Sequence, residues 1–473
     1  MSKQLPAELL SSLQTVKGFD EEAFKEVHDS GQQITSIRLN PKKIFPEGTG
    51  TGNIQYSQKE SGQAIFNDQL EKVPWSSNGY YLPQRPSFTS DPLFHAGTYY
   101  VQEASSMFLE EAIKQTCDLS QSLRVLDLCA APGGKSTLVQ SIISADSLLL
   151  SNEIIKSRVN ILSENITKWG AANVVVTNND PKDFQKLEDF FDMIVVDAPC
   201  SGSGLFRKDA EAIDEWSLNN VTLCSQRQQR ILDDILPALK PGGILIYSTC
   251  SYSEKEDEEV CDWLLSNYPV IGIRYQLQDN WVIIETGFSA HNAFGYRFYP
   301  DKLKGEGFFI AAFKKSGTSS PANNTRLKNK LQLLSPHEIA IIKSYFNNIE
   351  PLSFFKWQDE IIAIPASLLY DVSLLQSFLY LKKVGVKIGT IIRDELIPDH
   401  ELALSNLLAD SVSSIEVEHE TALQYLRRQD MVINTELKGW VLIKFQNKTL
   451  GWVKILPNRI NNYYPKGWRI LNK

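Results

Sequence analysis

Strand-like and helix-like segments alternate along the middle of the chain, from Leu123 to about Lys315. Strands that alternate with helices predict a doubly wound, mostly parallel α/β sheet of the Rossmann type. Such a sheet binds its ligands at the carboxyl ends of its strands, near the point where the strand order reverses. In chain order the strand-like runs are LRVLDLC (123–129), LLLSNE (148–153), NVVVTN (173–178), FDMIVVDAP (191–199), GILIYSTC (243–250) and GFFIAAFKK (307–315).

Helices are predicted between these runs, at about 135–144, across IKSRVNILSENITKWG, at about 226–239 up to the turn signal PGG, and over EKEDEEVCDWLL.

The sequence on either side of this core predicts further units. The first part contains a helical start, the strand-like run ITSIRLN and the glycine-rich loop GTGTGN. Beyond the core, a polar and unpatterned stretch predicts a linker, and Ser335, Pro336 and Glu338 then form the capping box of a new helix. The predicted division is an N-terminal lobe at 1–105, a core at 106–315, a linker at 316–330, a small middle domain at 331–385 and a β-rich module at 386–473.

Composition narrows the class of protein. The chain has 473 residues, a net charge of −8 and 42% hydrophobic residues, which is ordinary for a globular protein of several domains. No stretch has the length of uncharged apolar sequence that a membrane span needs, and the start lacks the apolar core of a secretory signal. We therefore expect a cytoplasmic protein. The six cysteines form no C-x-x-C pair, so neither a zinc site nor a disulfide framework is expected.

Charge is distributed unevenly, because the last part of the chain is basic and aromatic. Eight basic residues and no acidic one lie between Lys438 and Lys473. Basic side chains for phosphates with interleaved flat side chains for bases are typical of RNA-binding surfaces. A small β-rich domain with an aromatic core and a solvated lysine face has the same composition, and the sequence does not decide between them. The interleaved aromatic residues are Trp440, Phe445, Trp452, Tyr463, Tyr464 and Trp468.

The loop LDLCAAPGGKST connects the first strand of the core to its first helix. Its GKST ending resembles a nucleotide-triphosphate loop, but Cys129 occupies the position of the first glycine that such a loop requires. A dinucleotide loop is also excluded, because the only glycines are Gly133 and Gly134. The loop therefore predicts a tight turn at which a different ligand approaches the backbone closely.

Three acids at strand ends suggest what that ligand is. Glu153 follows the second strand at the place where a Rossmann-like sheet binds ribose hydroxyls. Asp180 follows the third strand, where it could meet an adenine amino group, and Asp197 ends the fourth. An adenosine compound without phosphates and with cationic groups fits such an acidic site. We therefore predict S-adenosylmethionine as the co-substrate and no metal ion.

Two thiols follow neighbouring strand-like runs, Cys200 in DAPCSGSG and Cys250 in STCSYS. Beside a methyl donor they have a chemical purpose, because cytosine C5 is too weak a nucleophile until a thiolate adds to C6. The adduct must then lose its C5 proton, which requires a base. One cysteine as nucleophile, a second group for proton removal and elimination, and Asp197 at the edge of the base would complete the predicted site. The local chemistry does not decide which thiol attacks.

The motifs CAAPGGKS, DAPCSGSG and STCSYS, in that order and preceded by QEASSM at 102–107, resemble the RNA cytosine-5 methyltransferases of the NOL/NOP2/Sun family. The resemblance spans about residues 100 to 315. It implies a class I methyltransferase sheet, flanked by an N-terminal α/β lobe and a C-terminal PUA-like module. The layout is similar to that of bacterial members that methylate a decoding-region cytidine of 16S rRNA. The implied partner is 16S rRNA or the small ribosomal subunit, bound by a monomer.

The resemblance also implies roles for individual residues. It identifies Cys250 as the nucleophile and Cys200 as the thiol that assists proton removal and release of the product. Arg158, Arg207 and Lys208 could contact the donor or RNA, or be solvated. The implied donor contacts are Cys129, Ala130, Ala131, Pro132, Gly133, Gly134, Lys135, Glu153, Asp180 and Asp197.

One feature departs from an RNA-binding surface. Six acids lie between Glu254 and Asp262, directly after Cys250, and we expect this face to point away from RNA. Two alternatives remain open from the sequence. The same chemistry could act on another rRNA site or on tRNA, or the chain could be an inactive RNA-binding factor of ribosome assembly. Retention of both thiols and of all three acids counts against the second alternative.

Overall fold

The structure is a computed structural model that describes residues 4–43, 54–58, 64–67, 70–288, 293–318 and 331–471. The glycine-rich loop GTGTGN and residues 319–330 of the expected linker lie outside these described residues.

The N-terminal lobe contains short helices and a small antiparallel sheet. The strand-like run ITSIRLN forms the central strand of this sheet, between strands Gly79–Leu82 and Tyr99–Val101, and strands Ile54–Gln58 and Ala64–Asn67 pair in a separate hairpin. The elements are α1 (Ala7–Leu13), α2 (Glu21–Asp29), β1 (Thr35–Leu39), β2 (Ile54–Gln58), β3 (Ala64–Asn67), β4 (Gly79–Leu82), α3 (Pro92–His95) and β5 (Tyr99–Val101).

The core has the predicted alternation of strands and helices. Its elements are α4 (Leu109–Thr116), β6 (Arg124–Asp127), α5 (Gly134–Ile142), β7 (Leu148–Asn152), α6 (Lys156–Trp169), β8 (Val174–Thr177), β9 (Phe191–Asp197), α7 (Glu211–Glu215), α8 (Leu218–Ile235), β10 (Leu239–Thr249), α9 (Glu258–Asn267), β11 (Val270–Ile273), β12 (Ile284–Phe288), β13 (Ala293–Phe298) and β14 (Phe308–Lys315).

The central sheet is doubly wound around β6. The strands β10, β9, β6, β7 and β8 are parallel neighbours in that order. The chain builds β6, β7 and β8 outward in one direction and then returns to place β9 and β10 on the other side. The strand order therefore reverses beside β6, between β6 and β9, which is where such sheets bind ligands. Apolar side chains on both faces of the sheet form two large buried clusters.

The sequence predicted that the turn signal PGG ends a helix, but in the structure it does not. Helix α8 ends at Ile235, and PGG lies inside β10, whose pairing with β9 is irregular between Leu239 and Ile244. Proline has no amide proton to donate to the neighbouring strand, and Gly242 has a positive φ of 79°. The hydrogen-bonded pairing of β10 with β9 is therefore interrupted at PGG and then resumes.

The chain after the expected linker forms two further sheets. The elements are β15 (Gln332–Leu333), α10 (Pro336–Ile342), β16 (Leu352–Trp357), β17 (Glu360–Pro365), α11 (Leu369–Phe378), β18 (Leu381–Val384), β19 (Val386–Ile392), β20 (Glu395–Pro398), α12 (His400–Leu404), β21 (Ser414–Glu416), α13 (His419–Arg427), β22 (Gly439–Phe445), β23 (Lys448–Leu456) and β24 (Arg459–Asn462). The predicted capping box at Ser335 and Glu338 is confirmed.

Strand β18 does not stay within its own unit but pairs with β8 and completes the edge of the central sheet. The next strand, β19, belongs to a five-stranded sheet of order β15-β16-β17-β19-β20. The domain boundary predicted between residues 385 and 386 lies between β18 and β19, and β19 pairs with β17 of the predicted middle domain. The last four strands, β21 to β24, form a separate sheet.

A buried arginine joins the N-terminal lobe to the core. Arg38 in β1 is 1% exposed. Its guanidinium donates to Gln102 Oε1 at 2.8 Å, to Thr137 Oγ1 at 2.6 Å and to the Gly134 carbonyl at 3.2 Å. It also lies over the ring of Trp169. Because Gly134 and Thr137 begin α5, Arg38 fixes the lobe to the helix that follows the glycine loop.

Replacement of Arg38 by alanine should destabilise the protein, because it leaves several buried acceptors without a donor. Each unsatisfied group costs about 1–3 kcal/mol, so we expect the Tm to fall by about 5–10 °C. Differential scanning fluorimetry measures this shift. The exposed Arg85→Ala serves as the control and should leave the Tm nearly unchanged. Equal effects of the two substitutions would show that Arg38 does not hold the lobe.

Candidate functional site

The glycine loop lies at the point where the strand order reverses. It runs from the end of β6 to the start of α5, and its backbone is tied to both neighbouring strands. The Leu128 amide donates to the Val195 carbonyl of β9, and the Ala130 amide donates to the Asn152 carbonyl of β7. Gly133 has a φ of 116°, a conformation that favours glycine. The loop is therefore fixed at the edge of the sheet, in the position that the sequence predicted.

A cavity of about 470 Å³ opens beside this loop. This volume is within the usual range for small-molecule sites. Six predicted site residues, which lie at or just after the ends of four strands, line it: Cys129, Ala131, Glu153, Asp197, Cys200 and Cys250. Ala130, Pro132, Gly133, Gly134 and Lys135 belong to the same loop and helix start but do not line the cavity.

Glu153 and Asp180 differ in their relation to the cavity. Glu153 is buried and accepts from the Ile155 amide at 2.8 Å, while Arg158 lies 3.4 Å from its other oxygen. Arg158 also donates to the Ala131 carbonyl at 2.5 Å and so connects the acid to the loop. Asp180 caps the next turn by accepting from the Lys182 amide at 3.1 Å. Its neighbour Pro181 lines the cavity, but Asp180 does not.

Asp127 is a buried acid at this site that the sequence analysis did not single out. It ends β6, immediately before the loop. Its Oδ2 accepts from Ser136 Oγ at 2.6 Å, whereas Oδ1 has no hydrogen-bond partner within the described structure. Burial raises the pKa of Asp127 to about 7. A buried carboxylate oxygen without a partner fits a ligand that carries a cationic group. The signal in the sequence that could have identified this residue was the acid within the run LDLC, directly before the glycine loop.

Asp197 is held by two side chains at the mouth of the cavity. Lys135 Nζ lies 2.7 Å from its Oδ2, and Ser248 Oγ donates to its Oδ1 at 2.9 Å. Burial lowers the pKa of Lys135, but attraction to Asp197 more than offsets this effect and the net shift is upward. The Lys135 ammonium is therefore charged and directed to Asp197, which lies between the loop and the thiols.

The two thiols meet at the same edge. Strands β9 and β10 are parallel neighbours, and the Sγ atoms of Cys200 and Cys250 lie 3.0 Å apart. The hydrogen bond to Cys250 and burial both raise the pKa of Cys200 well above its usual value. Gly204 keeps the loop after Cys200 tightly packed, because a Cβ there would lie 2.8 Å from the Cys250 carbonyl.

Several other residues that the sequence analysis discussed do not line the cavity. Arg207 does not face the cavity but binds Glu306 and the carbonyls of Gln32 and Gly305, whereas Lys208 is exposed. Cys224 and Cys261 are buried, and Cys117 is half-buried against Met193. The acidic run after Cys250 is not a solvated face throughout, because Glu256 and Asp257 are fully buried.

The basic C-terminal segment has a buried aromatic core and an exposed basic surface. Phe445, Trp452 and Tyr464 are buried in the core of the module. Tyr463 remains 41% exposed, and Trp440 contacts it while lying beneath Lys454. Three basic residues of the last strand and the segment after it are exposed: Arg459, Lys466 and Arg469.

The described residues contain no group of three or more His, Cys, Asp or Glu side chains placed to hold a metal ion. In that same part of the chain, none of the helices has both the length and the apolar character needed to cross a membrane.

Comparisons with known proteins agree with this geometry. Residues 115–314 match the family model of 16S rRNA methyltransferase RsmB/F, residues 5–104 match the N-terminal domain of 16S rRNA methyltransferase RsmF, and residues 412–470 match the RsmF PUA domain. The chain is 31% identical over 416 residues to a ribosomal RNA small subunit methyltransferase F of Aeromonas salmonicida, covering 84% of this chain and 85% of the relative.

A second relative and a solved structure extend the comparison. The corresponding enzyme of Aliivibrio salmonicida is 31% identical over 445 residues, covering 91% of this chain and 90% of the relative. The crystal structure of NSun6 from Pyrococcus horikoshii with SFG superposes with a TM-score of 0.51 at 19% identity, covering 66% of this chain and 98% of that one. This last likeness concerns the fold alone.

The fold and the cavity at its switch point define a class I, S-adenosylmethionine-dependent methyltransferase. More specifically, the chain belongs to the RsmB/F family of 16S rRNA methyltransferases, with the N-terminal domain and the C-terminal PUA domain of the RsmF type. The fold class predicted from the sequence is confirmed.

Asp127 should make stability depend on pH. Its folded pKa of about 7 exceeds that of the unfolded chain, so between about pH 4 and 7 the folded protein binds more protons and its contribution to stability falls as the pH rises. The slope is at most about 1.4 kcal/mol per pH unit. Denaturant unfolding across this range should show Asp127→Asn gaining stability relative to the parent as the pH rises.

The exposed Asp410→Asn controls for the loss of one charge. If the pH curves of the parent and Asp127→Asn run parallel, the Asp127 carboxyl does not hold its proton in the folded state.

Proposed function

We propose that this protein methylates C5 of a cytidine in small-subunit ribosomal RNA through a covalent adduct with Cys250. The observation that carries the proposal is the position of the two thiols. They lie 3.0 Å apart on the wall of the same cavity that contains Cys129 of the glycine loop and Glu153. A methyl transfer to oxygen or nitrogen would need no thiol, whereas C5 methylation of cytosine needs a nucleophile and a means of releasing it.

The residues of the cavity fit S-adenosylmethionine, which supplies the methyl group when bound. Glu153 lines the cavity and offers carboxylate oxygens for the ribose hydroxyls. Asp127 does not line the cavity, but its unpartnered Oδ1 is buried next to the loop, where negative charge would favour a cationic ligand. The loop residues Ala130 to Lys135 shape the backbone that the ligand approaches. Asp180 remains a proposed contact of the adenine, since it caps the turn whose Pro181 lines the cavity.

The chemistry follows from the thiols. The Cys250 thiolate forms a bond to C6 of the cytosine, and the electron pair of the C5–C6 double bond moves to C5. C5 then takes the methyl group as the bond between the methyl carbon and the sulfonium sulfur breaks, which leaves S-adenosylhomocysteine. A base removes the C5 proton, the double bond reforms and the Cys250–C6 bond breaks. Cys200 is placed to assist this last stage, because its sulfur lies against that of Cys250.

The assignment of attack to Cys250 comes from the family resemblance, and the electrostatics support it. The raised pKa of Cys200 keeps this thiol protonated, so it can donate a hydrogen bond to a Cys250 thiolate. Lys135 also stabilises negative charge here, because its ammonium interacts electrostatically with Cys250 as well as with Asp197. Asp197 is then the residue proposed to meet the polar edge of the base.

The acceptor is proposed from the relatives and from the C-terminal module. The relatives are named as ribosomal RNA small subunit methyltransferases, and the family resemblance suggests a decoding-region cytidine of 16S rRNA. Exposed Arg459, Lys466 and Arg469 supply charge for phosphates. We expect a monomer that acts in the cytoplasm on 16S rRNA or on the small subunit, with the N-terminal lobe also binding RNA.

Replacing each thiol should separate the two roles. Cys250→Ala should abolish methyl transfer, because no nucleophile remains to activate C5. Cys200→Ala should instead accumulate a covalent protein–RNA species, because attack continues while release fails. Radiolabelled methyl transfer and denaturing gel electrophoresis measure the two effects. Cys224→Ala, a buried cysteine that does not line the cavity, is the control and should behave as the parent does.

Retention of activity by Cys250→Ala would contradict the assignment of the nucleophile. Absence of a covalent species with Cys200→Ala would contradict the release role.

Deletion of the gene tests the acceptor. Bisulfite sequencing of rRNA and tRNA should show one 16S rRNA cytidine that loses its 5-methyl group in the deletion strain and regains it on complementation. Complementation with the Cys250→Ala gene should fail. Loss of methylation at a tRNA or a different rRNA site would redirect the proposal to that acceptor, and no lost site at all would exclude it.

A further inference from the structure

Two buried acids, Glu256 and Asp257, lie in the acidic run after Cys250, next to the loops that contain Cys200 and Cys250. Neither Glu256 nor Asp257 exposes any surface, whereas the other four acids of the run are half-buried or exposed. Asp257 has a cationic partner, since Arg297 lies 3.2 Å away. For Glu256, the described part of the chain places no Lys, Arg or His within ion-pair distance. A buried carboxylate without such a partner is costly and calls for an explanation.

The hydrogen bonds of Glu256 give that explanation. Its Oε1 accepts from the Ser201 amide at 2.7 Å, and its Oε2 accepts from Ser201 Oγ at 2.5 Å. The same Oε2 accepts from Ser251 Oγ at 2.6 Å. Ser201 directly follows Cys200, and Ser251 directly follows Cys250. One carboxylate therefore binds the residue after each thiol.

Glu256 is itself held in place from the sheet and from α8. Its carbonyl accepts from the hydroxyl of Tyr247 in β10 at 2.6 Å. Gln228 in α8 donates to Glu256 Oε1 at 3.4 Å and to the Pro199 carbonyl at 3.1 Å. The Cys200 loop is thus fixed on both sides of its thiol, by Gln228 before it and by Glu256 after it.

We propose that Glu256 is a positioning residue of the methyl transfer, whose carboxylate clamps the Cys200 loop to the Cys250 loop and so sets the separation of the two sulfur atoms. The inference rests on the proposed function, because it gives the clamp its purpose: both thiols must act on one cytosine. Glu256 does not line the cavity, and its hydrogen bonds go to the residues that follow the thiols rather than to the thiols themselves. It acts through Ser201 and Ser251.

A carboxylate suits this task better than an amide. It presents acceptors on both oxygens, and all of its neighbours can be donors. Burial raises the pKa of Glu256, while its hydrogen bonds to Ser201 and Ser251 oppose that shift. In Glu256→Gln an amide NH₂ must replace one oxygen and face either the fixed Ser201 amide or the two hydroxyls. The side chain keeps its size but loses part of the clamp.

Steady-state kinetics give the first test. A small displacement of a reacting group costs up to about 100-fold in rate, so Glu256→Gln should lower kcat by about 10- to 100-fold. The KM for RNA and the Kd for S-adenosylmethionine should stay within about twofold, because the clamp contacts neither ligand. Glu254→Gln, an acid of the same run that does not contact Ser201 or Ser251, is the matched control. An unchanged kcat, or a loss confined to KM, would overturn the proposal.

Cross-linking of the thiols gives a second test that needs no methyl transfer. Diamide takes two electrons and two protons from Cys200 and Cys250, becoming the hydrazine as the sulfur–sulfur bond forms. Peptide mapping of the native protein should show this bond forming rapidly in the parent and in Glu254→Gln, and at least about tenfold more slowly in Glu256→Gln. Loss of a negative charge would by itself favour thiolates and speed the reaction, so a slower reaction reports geometry.

The two tests separate the clamp from the proposed function. Slow cross-linking in Glu256→Gln supports the clamp even if the parent methylates no RNA, which would refute the function alone. Equal cross-linking rates would overturn the clamp even if the parent is an active cytosine methyltransferase. If Glu256→Gln does not fold, Ser251→Ala removes a single donor of the clamp, and the same slower cross-linking is expected of it; an unchanged rate would overturn the proposal.

Discussion

The parallel pairing of β9 with β10 is the constraint on which the site depends. Parallel neighbours end at the same edge of a sheet, so the loops that follow Asp197 and Thr249 begin side by side. The same register lets Ser248 donate to Asp197. Since β6 lies on the other side of β9, the glycine loop reaches this edge as well. One topological fact thus brings the methyl-donor loop, the acid and both thiols to one cavity.

Hydrogen bonds and ion pairs from three further residues fix the loops and the acid at this edge of the sheet. Glu256 binds the loop after each thiol, Lys135 neutralises Asp197, and Arg38 fixes the start of α5 from outside the core. The N-terminal lobe also packs against the C-terminal module, since Ile37 and Tyr425 belong to one buried cluster. The lobe therefore contacts both the core that contains the cavity and the C-terminal module that carries the exposed basic side chains.

Local sequence patterns were enough for some of this structure. Alternating strands and helices predicted the doubly wound sheet, and the loop motifs placed Cys129, Cys200 and Cys250 at strand ends, because these signals are encoded in short stretches. Two other features were not predictable. The pairing of β18 with β8 joins segments about 200 residues apart, and nothing local specifies such a partner. The burial of Glu256 was also not predictable, because in the sequence it is one of six acids in a short run. Which of them is buried depends on the tertiary packing around the run.

The central claim is that Cys250, rather than Cys200, bonds to the base, and the most direct measurement is the identity of the trapped residue. RNA that contains 5-fluorocytidine at the target position cannot lose a proton from C5, so the adduct should persist with the unmodified enzyme and S-adenosylmethionine. Mass spectrometry of the protease-digested complex should then find the nucleotide on the peptide with Cys250. A nucleotide on the peptide with Cys200, or no covalent complex at all, would contradict the account.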